Sequence, residues 1–163
     1  MASSGSGSAR PDVSDFYFAY GSNMNPARVA ARGLVATRAV RAWTDGLRLV
    51  FDKSSRDHAG VGHANVTWDR TSRVEGVLYA LADPHEILKM DAFERTPVNY
   101  SRDRIVVDTA EGRRTCWTYF ANPGVRRAGL RPDRAYLAHL LAGRPFLSRS
   151  YVEALERVPC VDD

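Results

Sequence analysis

Residues 15–24 read DFYFAYGSNM: aromatics at 16, 17, 18 and 20 around Ala19, then Gly-Ser-Asn. Aromatic residues favour strands, and a run that is apolar at both odd and even positions has no polar face to give to water. The stretch therefore predicts a short strand over 16–20, buried on both faces and ended by a polar, glycine-containing turn. Such a turn is either a plain exit from the core or a loop whose backbone amides hold a ligand.

The flanking sequence extends the pattern. NPARVAARG (25–33) predicts a short helix, with Asn25 as its cap, Pro26 at the first helical position and Gly33 at its stop. TRAVRAWTDGLRLVFDKSS (37–55) divides into two β-type runs around Thr44-Asp45-Gly46, which predicts a hairpin turn there. The Gly-rich HAGVGHANVTWDR (58–70) leads into a further strand, and SRVEGVLYALA (72–82) into another. Asp83 and Pro84 open a helix in ADPHEILKMDAFERT that ends near Pro97. YSRDRIVVDTAEGRRTCWTYFA (100–121) predicts a hairpin turned at Glu111-Gly112, and two helices close the chain, over 132–143 and 148–159. Strands first, one helix between them and helices grouped at the end predict an α+β fold on a mostly antiparallel sheet able to close on itself.

A chain of 163 residues with 44% hydrophobic content predicts one domain, here residues 15–163. Residues 1–14 are small and polar without an apolar stretch, as in a flexible leader rather than a signal peptide. No run is long and apolar enough for a membrane helix. With only Cys116 and Cys160, a disulfide framework is not implied, and the cytoplasm is the expected compartment. The formal charge of +4 is spread along the chain, without the aromatic interleaving of a nucleic-acid surface, so no nucleic-acid partner is expected. Only Lys53 and Lys89 are lysines; an arginine bias of this kind reflects genomic base composition more often than function.

Metal, triad and phosphate-loop chemistry find little support. His58 and His63 are five apart, His85-Glu86 lacks a second histidine at helical spacing, and neither cysteine sits at ligand spacing. Ser22 has one neighbouring glycine and no G-x-S-x-G turn, and YGSNM lacks the lysine of a nucleotide cradle. There remains KMDAFERTP (89–97), a helix end on which Glu94 lies beside the apolar stripe of Met90 and Phe93. Glu94 is either a surface carboxylate or a desolvated one, and desolvation would make it a proton acceptor near neutral pH. Asp91 reads as an exposed or helix-bonding residue.

YFAYGSNM and MDAFERTPVNY together resemble two segments of the γ-glutamylcyclotransferase-like family: its Y-G-S loop and the segment bearing its catalytic glutamate. GVGHANVTWDRTSRVEGVLYAL, CWTYFA and RPFLSRSYVEALERVP are similar to further family segments, in order and at fitting spacings over about residues 15–159. The resemblance implies a small distorted β-barrel with flanking helices. It implies a binding loop of Tyr20, Gly21, Ser22 and Asn23, Glu94 as general acid/base and Tyr119 in the pocket wall, with neither metal nor cofactor. Gly21 would then let the loop backbone approach a charged ligand closely.

The implied substrate is a small γ-glutamyl amide, which releases 5-oxoproline and a free amine by intramolecular aminolysis. That amine would be an amino acid, a lysine side chain or an antibiotic biosynthetic intermediate, as the family's aminoglycoside-tailoring members process. The other class of reading is a family-like module that binds a ligand or partner without turnover. Two positions depart from the family: Arg95 replaces the glycine usual after the glutamate, and Asn65 a frequent threonine, and both would reshape the pocket.

Overall fold

The computed structural model describes residues 15–163, and the leader expected over 1–14 lies outside the described residues. Five strands form a closed barrel in the order β1-β3-β2-β4-β5. They are β1 (Phe16–Ala19), β2 (Ala36–Ser54), β3 (Gly62–Leu81), β4 (Tyr100–Thr109) and β5 (Gly112–Ala121). β2 and β3 pair antiparallel from Ala36↔Leu81 to Ser54↔Gly62, and β1 lies antiparallel on β3 from Phe16↔Ala80 to Ala19↔Val77. β4 joins β2 at Trp43↔Asp108 and runs antiparallel to β5. The seam is the single parallel contact, Tyr17↔Trp117 between β1 and β5.

β1 is buried on both faces, as its composition requires. Phe18 enters a cluster supplied by strands, with Ala42, Leu47, Ala64, Val66, Val74, Leu78, Val107 and Cys116. Tyr17 and Ala19 face the other way, into a larger cluster that helices complete through Val29, Met90, Leu137, Leu140, Val152 and Leu155. One cluster thus fills the barrel and the other lies between barrel and helices.

The hairpin expected at Thr44-Asp45-Gly46 is absent. β2 passes straight through it, because each half of β2 pairs with β3 rather than with the other half. What looked like a turn is a bulge: Asp45 pairs with Arg73 and Leu47 with Trp68, so residues 69–72 of β3 have no counterpart but Gly46. Gly46 takes a φ of 91°, open to glycine at little cost. For the same reason the two strands expected between 58 and 82 are one. The expected β4–β5 hairpin forms with its turn one residue earlier, Thr109 pairing with Gly112 across Ala110-Glu111.

The helices are α1 (Pro26–Ala31), α2 (Ile87–Phe93), α3 (Arg134–Leu141) and α4 (Arg149–Glu156). Side-chain caps set three starts: Asn25 accepts from the Ala27 amide at 3.1 Å, Asp133 from Tyr136 at 2.7 Å and Ser148 from Tyr151 at 3.3 Å. Asp83 accepts from the His85 amide and opens a 3-10 turn that runs into α2. Both cysteines are buried and free. No helix among the described residues is long and apolar enough to cross a membrane.

Candidate active site

β1 delivers Tyr20–Asn23 to the mouth of the barrel, where a 3-10 turn over Ser22–Met24 fixes the loop through Met24 N–H to the Gly21 carbonyl, 2.9 Å. Tyr20, Gly21, Ser22, Asn23, Glu94 and Tyr119 all line one inner chamber of about 40 Å³. Tyr17, Phe18, Ala64, Tyr100, Thr118 and Tyr136 complete its wall. The residues brought together come from β1 and the loop after it, β3, β4, β5, α3 and the end of α2, with Tyr17 and Tyr136 standing 119 positions apart.

Each loop residue has a distinct task. The Tyr20 hydroxyl donates to the Tyr119 carbonyl and ties the loop to β5. At Gly21 a side chain would meet Ala64 Cβ at 3.0 Å and the Tyr136 hydroxyl at 3.4 Å, so glycine here serves tight packing of the loop on β3 and α3. The hydroxyls of Ser22 and Tyr136 are hydrogen-bonded, and Tyr136 also accepts from the Ala64 amide at 3.0 Å. Asn23 is buried; its Nδ2 donates to Tyr17 at 3.0 Å and to Glu94 Oε1 at 3.3 Å, while its Oδ1 accepts from Arg32 at 2.9 Å. Asn23 therefore points at the carboxylate and holds it.

Tyr119 lies in the chamber wall, but its hydroxyl is turned to α2, where it donates to Asp91 at 2.7 Å. Asp91 also faces Arg102 at 3.5 Å, so it braces α2 against β4 and β5. Asn65, expected to alter the pocket, does not line it: it accepts from the Ala121 amide and donates to Asp52, each at 2.9 Å, cross-linking strands instead.

Glu94 occupies the position just after α2, its amide bonded to the Met90 carbonyl at 2.8 Å. Burial raises its carboxyl pKa from 4.5 to about 7, opposed by the positive charges of Arg32, Lys53 and Arg28. Desolvation prevails over the three cations, and among the described residues the carboxyl accepts one hydrogen bond, from Asn23. The phenols around it are pushed upward by the same burial, Tyr136 to about 12, so they remain neutral hydrogen-bond donors. The chamber thus combines one carboxyl that changes charge near neutral pH with polar groups that do not.

Beyond Glu94 the chamber meets an outer cleft of about 310 Å³, which shares Ser22, Glu94, Tyr100 and Tyr136 with it. Arg28, Arg32, Lys53, Arg56 and Arg95 line this cleft. His63 stacks on Tyr136 with ring centroids 4.5 Å apart, and burial, with Lys53 nearby, lowers its pKa to about 4. Arg32 lies over the Phe93 ring at 4.8 Å. Sequence reasoning missed Tyr100, Tyr136 and these cations; none belongs to a local pattern, and only the closed barrel gathers them. Arg95 was noticed only as a departure from glycine, and its φ of 52° explains why glycine suits the place. Among the described residues no group of three or more His, Cys, Asp or Glu is placed to hold a metal ion.

No curated protein matches the chain. Among solved structures it resembles a γ-glutamyl cyclotransferase with a TM-score of 0.76 and 23% identity, covering 91% of this chain and 89% of that one. An uncharacterized protein from Homo sapiens gives a TM-score of 0.78 at 23% identity, covering 93% and 92%. YkqA from Bacillus subtilis gives 0.78 at 24% identity over 89% of this chain, which spans 55% of YkqA. At such identities these likenesses speak for the fold. The family model described as Gamma-glutamyl cyclotransferase, AIG2-like matches residues 17–138, a stretch that contains every residue of the inner chamber. The chain belongs to the γ-glutamyl cyclotransferase, AIG2-like family.

Proposed function

We propose that this chain converts a small γ-glutamyl amide to 5-oxoproline and a free amine, with Glu94 as general acid/base. The observation that carries this reading is a carboxyl with a pKa near 7, inside a chamber and facing the loop that follows β1. Nucleophile and electrophile belong to one substrate molecule. The site has only to fold the glutamyl chain so that its α-nitrogen approaches its γ-carbon, a gain of several kcal/mol from proximity alone.

At neutral pH the α-nitrogen is largely ammonium and has no lone pair to give. Glu94, as carboxylate, takes one proton from it. The amine then adds to the γ-carbonyl carbon, and a new carbon–nitrogen bond closes the five-membered ring. As the bond from that carbon to the departing nitrogen breaks, Glu94 gives its proton to that nitrogen. It then takes the second proton left on the ring nitrogen and passes it to the freed amine, so that a neutral lactam and an ammonium leave. No water is consumed, and no external group is required. The Tyr17 and Tyr136 hydroxyls, which accept from Asn23 and the Ala64 amide, have their own protons to offer the substrate's oxygens, and Asn23 keeps the Glu94 carboxyl aimed.

The test is Glu94→Gln, with 5-oxoproline followed by mass spectrometry over a panel of γ-glutamyl amides. Release should fall by roughly 100- to 10,000-fold while the fold is retained. Near-wild-type turnover in the variant would remove Glu94 from the mechanism.

A further inference from the structure

Five cationic side chains converge on the outer cleft from four parts of the chain: Arg28 on α1 and Arg32 just after it, Lys53 on β2, Arg56 in the following loop and Arg95 beyond α2. The acidic side chains lining it are Asp57 and Glu94. Twelve ion pairs occur among the described residues, and none of these five cations takes part in one. Ten of the sixteen described arginines elsewhere pair with a carboxylate; none of the four at this opening does.

Lys53 is the strongest sign that something is meant to bind. It is only 5% exposed, yet its ammonium has neither a carboxylate within 4.0 Å nor a hydrogen-bond partner among the described residues; the Tyr100 ring lies 6.0 Å away. The Lys53 stem is enclosed while its charged end opens on the cleft without a counter-ion, a place where a ligand anion would supply one. Arg28 Nε is buried without a partner, while its Nη1 lies 3.3 Å from His139 Nε2. Arg95 keeps an arginine on the cleft at a φ of 52°, where an L side chain costs roughly 1 kcal/mol or more.

Glu94 lines both spaces, so a glutamyl group folded in the chamber directs its departing nitrogen, and whatever that nitrogen carries, into the cleft. Resting on the cyclotransferase reading above, we propose that the cleft is the subsite of the leaving amine and that this amine bears a dianionic group, a phosphate monoester or a pair of carboxylates. Guanidinium groups meet both by forked hydrogen bonds. A single carboxylate would leave most of the cleft's positive charge unmatched. A polyamine, such as an aminoglycoside, would bring ammonium groups against five like charges.

The experiment compares four amides of similar size: γ-glutamyl-O-phosphoethanolamine, γ-glutamylglutamate, neutral γ-glutamylethanolamide and cationic γ-glutamylputrescine. The dianionic amides should exceed the neutral one in kcat/KM by about tenfold or more at low salt. The advantage should shrink between about 0.05 and about 0.5 M salt. Arg56→Glu, in an exposed loop, should cut the dianion-to-neutral ratio by about tenfold; Lys53→Met should lower the same ratio from inside the cleft. A preference confined to phosphate, or to two carboxylates, supports the proposal and identifies the source. Equal or faster release of 5-oxoproline from the putrescine amide overturns the dianion assignment and leaves cyclotransfer standing. No 5-oxoproline from any amide overturns cyclotransfer itself, and the subsite falls with it.

Discussion

Asn23 and Glu94 are 71 positions apart in the chain, and the Asn23 amide nitrogen donates to the Glu94 carboxyl at 3.3 Å. The same amide group reaches Tyr17 on β1 and Arg32 just after α1, so one buried side chain sets the loop, the barrel and the carboxyl in register. A donor to the ionised carboxyl favours the charged form, in the same direction as the Arg32, Lys53 and Arg28 charges that oppose burial at Glu94.

Asn23→Ala should lower kcat by up to about 100-fold through misplacement of the carboxyl. It should also move the acid limb of kcat/KM to higher pH, since the carboxylate loses its donor while burial remains. A pH–rate profile checks both. A lower rate with an unmoved limb would assign Asn23 a purely structural role.

Glu94 should make stability fall as pH rises. Its folded pKa of about 7 lies above that of the unfolded chain, so between about 4.5 and 7 the fold holds a proton that the unfolded chain has released. His63 acts in the opposite sense: its folded pKa of about 4 lies below the ordinary 6.5, so its contribution is lost as pH falls through that interval. Comparing wild type with Glu94→Gln isolates the first effect. In urea denaturation, the stability of wild type relative to the variant should drop by about 2–3 kcal/mol from about pH 5 to about pH 8. A constant difference would mean that the carboxyl is not desolvated.

Arg95→Gly should raise stability by roughly 0.5–1 kcal/mol, the relief of a left-handed backbone less the entropy that glycine gains when unfolded. Arg95→Ala removes the same side chain without that relief and should show no such gain. Denaturant midpoints of the pair separate backbone strain from side-chain effects.

Gly21→Ala should disturb the loop, because the new methyl would press on Ala64 Cβ, 3.0 Å from where it would stand. A loss of about 1–3 kcal/mol is expected, together with lower turnover. Adding Ala64→Gly removes the obstructing atom and should restore much of both. If the double variant is no better than the single one, Ala64 is not the obstruction.

Much of the architecture was legible in sequence because it is written locally. The Asn25-Pro26 start, the Asp83-Pro84 turn and the doubly buried β1 are each decided by residues within a few positions of one another. The break at Thr44-Asp45-Gly46 was misread because a bulge and a hairpin use the same residues; the difference lies in β3, more than twenty positions away. The site divides in the same way. Glu94 and the YGSN loop stand in short recognisable segments, whereas Lys53, Arg56 and Tyr136 acquire meaning only from one another's nearness. The role of Asn23 was seen only in part: its place in the loop was readable, its grip on Glu94 was not.

The parallel seam between β1 and β5 has a consequence for biosynthesis. Tyr17 is made early, but its closing neighbour Trp117 follows a hundred positions later, after β2, β3, β4 and α2. Until the ribosome has released that segment, the aromatic first strand lacks one of its two neighbours and the YGSN loop has no Tyr119 carbonyl to moor it. Competence of the pocket is therefore a late, all-or-nothing event in the life of the nascent chain, and a polypeptide interrupted before β5 presents an aromatic edge to other chains instead of a partly working enzyme.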